Sequence, residues 1–155
     1  LPMVMISGDT VAPDELLSPQ KYEASQITHL AIILGIISAI FDFVFFASFR
    51  AAGPATLQTN WFIGSVLTEL SLFFSIRTKS LFIKAVKPPR SILLPSLLIL
   101  IITITLPFTA LGQNFFHFVP PTVANLLLII AIVFVYFICS EAGKLLYYRK
   151  YKTNG

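Results

Sequence analysis

Charged residues are scarce in this sequence, and one long stretch has none at all. Lysine, arginine, aspartate and glutamate make up 12% of the 155 residues, whereas a soluble domain carries about 25%. Residues 91–140 contain none of the four. That run is too long for one buried helix of a soluble protein, and it has room for two membrane passes of about 20 residues each. The composition therefore excludes a soluble fold.

The residue types and motifs that build catalytic centres are also missing. The single cysteine, Cys139, lies within an apolar run, so the chain cannot form an internal disulfide or a cysteine-rich metal site. There is no Gly-rich phosphate loop, no His/Cys cluster and no nucleophile elbow in the sequence. We therefore assign no catalytic residue and no cofactor-binding residue to this segment, and a membrane-embedded enzyme is the least favoured function.

Four apolar stretches have the length of membrane helices. They lie at about residues 27–49, 60–76, 92–111 and 121–148, within a membrane domain that we predict over residues 27–155. Asn60 is a suitable N-cap for the second helix. Residues 1–26 are polar, contain turn-forming glycine and proline, and are predicted to form a cytoplasmic leader loop.

The basic residues indicate the orientation of these helices. Nine of them lie in the loop after the second helix or near the C-terminus: Arg77, Lys79, Lys84, Lys87, Arg90, Lys144, Arg149, Lys150 and Lys152. The two opposite loops hold only Arg50. Because Lys and Arg are enriched in cytoplasmic loops, we predict an all-α membrane protein, a four-transmembrane-helix bundle with both termini cytoplasmic. The net charge of +4 is explained by this pattern, and no nucleic-acid partner is expected.

The acidic residues inside the first two apolar stretches, one in each, are the candidate metal ligands. Asp42 lies eight residues before Arg50 on the first predicted helix, and Glu69 lies nine residues after Asn60 on the second. At 1.5 Å per residue, both carboxylates sit roughly 12–14 Å below the outer helix ends. An ionisable group at membrane depth is costly and usually faces protein or water. Two carboxylates at one depth on adjacent helices can flank a cation path, with Glu69 the stronger candidate. The alternative is that each carboxylate is capped by Ser, Thr, Asn or backbone groups, or is protonated.

Small residues indicate where helices approach closely. Gly35-x-x-x-Ala39 and Gly64-x-x-x-Thr68 have the small-x-x-x-small spacing that favours close contact between membrane helices. The spacing is also common by chance.

Several segments resemble the C-terminal membrane region of cation-transporting P-type ATPases. Residues 1–22, "LPMVMISGDTVAPDELLSPQKY", resemble the cytoplasmic loop after the sixth membrane helix of these pumps. "GIISAIFDFVFF" at residues 35–46 resembles the seventh helix of the magnesium-transporting branch. Residues 58–80, with a Trp-Phe start and a Ser-Ile-Arg-Thr exit, resemble the eighth helix, and "LPFTALG" at residues 106–112 resembles the end of the ninth.

The resemblance implies that this chain is the C-terminal four-helix portion of a larger ATP-driven pump of the Mg²⁺ or Ca²⁺ class. The intact pump would be an ATP hydrolase that uses Mg²⁺ and ATP, but the family's phosphorylation motif, D-K-T-G-T, is absent from this segment. The partners implied are the rest of the pump, the lipid bilayer and a transported divalent cation, and the expected location is the plasma membrane. Glu69, in "VLTEL", matches a Glu ligand in the eighth helix of some calcium pumps; magnesium-type members often have an amide there, so the ion stays open.

An alternative is an independent four-helix membrane protein, such as a small transporter subunit or a membrane scaffold. This alternative ranks second to the pump. The upstream coding sequence separates the two, because only the pump carries a phosphorylation motif before this segment.

Overall fold

In the computed structural model of the chain, residues 24–77 and 88–152 are described, and their secondary structure is helical. The helices are α1 (Ala24–Phe49), α2 (Pro54–Ile76), α3 (Arg90–Thr105), α4 (Ala110–Phe115) and α5 (Val123–Lys152). Short 3₁₀ turns follow α1 at Arg50–Ala52 and α3 at Leu106–Phe108. The all-helical prediction is therefore confirmed over the described residues.

Three segments of the described chain are long and apolar enough to cross a membrane: Thr28–Ala52, Arg90–Phe108 and Val123–Arg149. They correspond to the first, third and fourth predicted spans. Large apolar side chains are exposed on them, including Ile36, Phe43, Leu94 and Phe134, as expected for helices that face lipid. A helix can cross lipid because all of its backbone hydrogen bonds are made within the helix. The α2 helix is not one of the three.

A core of aromatic and branched side chains joins α1, α2 and α5. Phe45 and Phe49 of α1 pack with Ile63 of α2 and with Ile129 and Ile132 of α5. Gly64 on α2 lies directly against the ring of Phe45, and a methyl group at this position would overlap that ring. The close-contact prediction therefore holds at Gly64, whereas Gly35 has open space around it among the described residues.

The second helix begins earlier than the sequence indicates. It starts at Pro54, whose ring suits the first helical position, and Leu57 N–H donates to the carbonyl of Gly53 at 2.9 Å. Asn60 is therefore inside α2 and not at its N-cap. Its side chain is fully buried, and within the described chain neither its Nδ2 nor its Oδ1 has a hydrogen-bond partner.

The third span is interrupted before its predicted end at residue 111. Pro107 has no N–H to donate to the carbonyl of Thr103, and the α-helix gives way here to the 3₁₀ turn at Leu106–Phe108, although α3 continues through Pro95. The chain turns at Thr109, which is extended and whose hydroxyl accepts from Gly112 N–H at 3.1 Å to start α4. The fourth predicted span, residues 121–148, is observed as α5 from Val123 to Lys152.

Parts of two predicted segments lie outside the described residues. Residues 1–23 of the predicted leader are among them, and α1 already begins at Ala24. The basic loop after α2 is described only up to Arg77 and again from residue 88.

Candidate cation-binding cleft

The α1, α2 and α5 helices enclose a cleft of about 270 Å³ that contains both carboxylates singled out from the sequence. Its lining residues are Ser38, Phe41, Asp42 and Phe45 of α1, Trp61, Ser65, Thr68, Glu69 and Leu72 of α2, and Tyr136 of α5. The depth argument placed Asp42 and Glu69 at one level on neighbouring helices, and in the structure both line this one cavity. We refer to it as the Asp42–Glu69 cleft.

Asp42 is held by a hydrogen bond across the two helices. Its Oδ1 accepts from the indole Nε1 of Trp61, which lies 3.2 Å away on α2. Asp42 and Trp61 are both exposed, with 47% of Trp61 accessible. An indole N–H is a donor only, so Trp61 occupies one lone pair of Asp42 and leaves its other oxygen for further ligands.

The carboxylate of Glu69 differs from that of Asp42 in its hydrogen bonding. It is exposed, and no hydrogen-bond partner of its side chain is found in residues 24–77 and 88–152. Ser65 and Thr68 on the same helix also line the cleft. The Thr68 hydroxyl donates to the Ser65 carbonyl at 2.9 Å, which leaves the Thr68 oxygen able to accept or to bind a cation.

Hydroxyl groups from α1 and α5 also line the cleft. Ser38 Oγ and the hydroxyl of Tyr136 lie 2.9 Å apart and share a hydrogen bond. The ring of Tyr136 is buried and meets Phe41 edge to face, with ring centroids 5.2 Å apart. The buried ring fixes the position of the Tyr136 oxygen.

The polar ligands that the cleft offers are all oxygens. Carboxylates and hydroxyls are the ligands of hard cations such as Ca²⁺ and Mg²⁺. Among the residues that the structure describes, no group of three or more His, Cys, Asp or Glu side chains is placed to hold a metal ion. Ca²⁺ takes six to eight oxygen ligands.

A second polar cluster, which the sequence did not indicate, lies where the C-terminal end of α2 meets α5. Lys144 Nζ donates to Glu141 Oε1 at 2.6 Å and to the carbonyl of Ser75 at 2.7 Å. Ser75 Oγ donates to the same Glu141 oxygen at 2.5 Å. All three residues are buried. From the sequence alone, Lys144 counts among the basic residues that set the topology. The i, i+3 spacing of Glu141 and Lys144 is the one sequence signal that could have indicated the pair.

The sequence of this chain is similar to those of known proteins. Residues 1–146 match a family model described as cation transporting ATPase, C-terminus. Two curated relatives carry the name magnesium-transporting ATPase, P-type 1. The one from Salmonella typhimurium strain LT2 is 26% identical over 117 residues, and the one from Escherichia coli strain K12 is 28% identical over 118 residues. Each alignment covers 71% of this chain and 13% of the relative, so the chain spans about an eighth of their length.

Proposed function

Since this chain belongs to the cation-transporting ATPase C-terminus family, as the C-terminal membrane domain of a P-type ATPase, we propose that it supports the transport helices and adds a cation ligand to them. The ligand is Glu69, and Asp42 is a weaker second candidate. The observation that carries the proposal is the Asp42–Glu69 cleft, in which two carboxylates from adjacent helices line one cavity.

The surroundings of Glu69 support a ligand role over a structural one. A carboxylate that only joins helices is expected to have a donor on a neighbouring helix, as Asp42 has in Trp61. Glu69 has no such donor within the described chain, and it is exposed. A carboxylate at membrane depth is retained at a cost of about 2.5–3.5 kcal/mol on insertion scales. A bound cation provides the compensating charge.

The cleft is open, and its oxygen ligands come from α1, α2 and α5. Other membrane helices of the pump supply the remaining ligands in this proposal, and Glu69 completes the sphere from the α2 side. Oxygen ligands favour a hard divalent cation, and both named relatives are magnesium-transporting. Mg²⁺ is therefore our first choice of transported ion, and Ca²⁺ is the second.

We also propose that α2 crosses the membrane, which gives four passes. Its 23 residues span roughly 35 Å, compared with about 30 Å for the hydrocarbon core. Several of its polar side chains, including Thr59, Asn60 and Ser75, are buried within the bundle and so do not face lipid. With the basic residues on the cytoplasmic side, both termini are cytoplasmic, and the pump resides in the plasma membrane.

The rest of the pump is the main partner in this account. ATP and its Mg²⁺ are bound by domains outside this chain, and the exposed apolar faces meet lipid or other membrane helices. The alternative of an independent four-helix protein is not favoured, because the family match extends over residues 1–146.

Cation uptake into proteoliposomes that contain the full-length pump tests the proposed role. We expect ATP-driven transport of a divalent cation in the wild type and strongly reduced transport at limiting cation concentration in Glu69→Ala. Equal transport by the two proteins at every cation concentration would contradict a ligand role for Glu69.

A further inference from the structure

At the C-terminal end of α2, the carbonyl of Ser75 is hydrogen-bonded by a side chain of α5. The last four carbonyls of any α-helix have no partner within that helix. Ser75 lies in the last turn of α2, which ends at Ile76. Its carbonyl accepts a hydrogen bond from Lys144 Nζ at 2.7 Å. Lys144 therefore caps α2 from α5, and its positive charge lies at the negative end of the α2 dipole.

Glu141 completes the cap by neutralising the lysine. Lys144 is 0% exposed, and a buried ammonium without a counter-charge is strongly unfavourable. Glu141 Oε1 accepts from both Lys144 Nζ at 2.6 Å and Ser75 Oγ at 2.5 Å. One carboxylate oxygen of Glu141 thus binds both the hydroxyl of Ser75 and the ammonium of Lys144, which itself binds the carbonyl of Ser75.

The buried Lys144–Glu141 ion pair is better suited to positioning α2 than to stabilising the fold. Desolvation of two buried charges offsets much of their attraction, so a buried ion pair adds little net stability compared with apolar residues of similar size. Its hydrogen bonds nevertheless require one geometry. At the Ser75 end, two hydrogen bonds join α2 to α5, one to the hydroxyl and one to the carbonyl of Ser75. A third, between Lys144 and Glu141 within α5, holds their two side chains together, so the rotation of α2 and its translation along α5 are restrained at this point.

The same helix carries Glu69, six residues before Ser75. That separation corresponds to about 9 Å along the axis. The intervening residues contain neither glycine nor proline, so this part of α2 moves as a rigid unit. Nearer its start, α2 is held by Thr59, whose Oγ1 accepts from Val119 N–H at 2.9 Å.

We propose that Lys144 and Glu141 are positioning residues that set the depth and rotation of Glu69 in the Asp42–Glu69 cleft. The proposal rests on the cation-ligand role of Glu69 given above. It assigns to a lysine and a glutamate on α5 an influence on cation affinity, although neither lines the cleft.

Two double variants of the full-length pump separate the cap from the charges. Glu141→Gln with Lys144→Gln removes both charges but keeps an amide donor at position 144 for the Ser75 carbonyl. Glu141→Gln with Lys144→Met removes the charges and the donor. We expect the Gln/Met variant to raise the half-saturating cation concentration about tenfold, which corresponds to about 1.4 kcal/mol. The Gln/Gln variant should stay close to wild type.

Ser140→Ala is the matched control. Ser140 is on the same helix and equally buried, and its hydroxyl has no partner within the described chain, so cation affinity should not change. A Gln/Met variant with unchanged half-saturation and a lower melting temperature would overturn the proposal, because the cluster would then only hold the fold together. Equal shifts in both double variants would overturn the capping role.

Combining these variants with Glu69→Gln tests whether the effect passes through Glu69. If Lys144 acts by positioning Glu69, the Gln/Met pair adds no further shift in a Glu69→Gln background, since the two effects are coupled. Full additivity would contradict the positioning role while leaving the ligand role of Glu69 intact. If Glu69→Gln alone changes nothing, the cation-ligand proposal fails, and the positioning role fails with it.

Discussion

Trp61 Nε1 donates a hydrogen bond to Asp42 Oδ1 over 3.2 Å, and this bond links α2 to α1 within the Asp42–Glu69 cleft. The two carboxylates of the cleft thereby differ in their surroundings. Asp42 already has a protein donor, whereas the oxygens of Glu69 have none among the described residues. Under the proposed cation-ligand role, this difference favours Glu69 over Asp42 as the ligand.

Substitution of either partner should have the same modest cost. Trp61→Phe keeps the aromatic character and removes the donor, and Asp42→Ala removes the acceptor, which Asp42→Asn would retain. Because both residues are exposed, each change should lower stability by about 1 kcal/mol or less. Thermal melting of the purified pump in detergent, run as a double-mutant cycle, measures the coupling. The double variant should be little worse than either single variant, and additive losses would show that the bond contributes nothing.

Gly64 should tolerate no side chain. A Cβ at this position would overlap the buried ring of Phe45, and overpacking of this kind costs about 1–3 kcal/mol. We therefore expect Gly64→Ala to lower the melting temperature of the pump. Gly35→Ala is the control, since a Cβ there meets no described atom and alanine favours a helix by up to about 1 kcal/mol over glycine. Equal effects of the two substitutions would contradict the observed packing of α1 on α2.

Labelling of single cysteines tests the four-pass topology. In a Cys139→Ala background, a cysteine at Ala52 should react with a membrane-impermeant reagent added from outside the cell. A cysteine at Val86, in the basic loop, should react only after the membrane is permeabilised. The expectation follows from nine basic residues on one side and one on the other. The reverse pattern would overturn the orientation, and labelling of both sites from outside would remove α2 from the set of spans.

Much of the helical architecture could be predicted from composition, because a chain with so few charges leaves long apolar runs visible. The shared cleft of Asp42 and Glu69 also followed from their equal depth on adjacent helices. The early start of α2 was missed, because Asn60 has the chemistry of an N-cap and its burial depends on packing against other helices. The break at Pro107 was missed because membrane helices often accommodate proline.

The Lys144 cluster was missed for a related reason. A lysine that follows an apolar run is usually a residue of the membrane interface. Only the three-dimensional packing of α5 on the end of α2 shows that Lys144 is buried and bound to Glu141 and Ser75. Sequence spacing relates residues along one helix, and it carries little information about which carbonyl of another helix a side chain will reach.

The removal of charge from Glu69 is the most direct test of the cation-ligand role. Glu69→Gln preserves the shape of the side chain, so the pump should insert and fold with an unchanged melting temperature. Its half-saturating concentration for Mg²⁺ or Ca²⁺ should rise, or its preference between them should change, by about tenfold or more, because a hydrogen bond or contact to a charged group is worth about 1.5–3 kcal/mol. Glu69→Ala should be at least as harmful, and Asp42→Asn should be milder.

The measurement is cation-stimulated ATP hydrolysis by the purified full-length pump at a constant concentration of Mg·ATP, titrated with each divalent cation for wild type and Glu69→Gln. The account predicts a rightward shift of the titration curve for the transported cation, with little change in protein stability. An unchanged half-saturation for every cation tested, accompanied only by a loss of stability in detergent, would contradict it and would leave Glu69 as a residue that holds helices together.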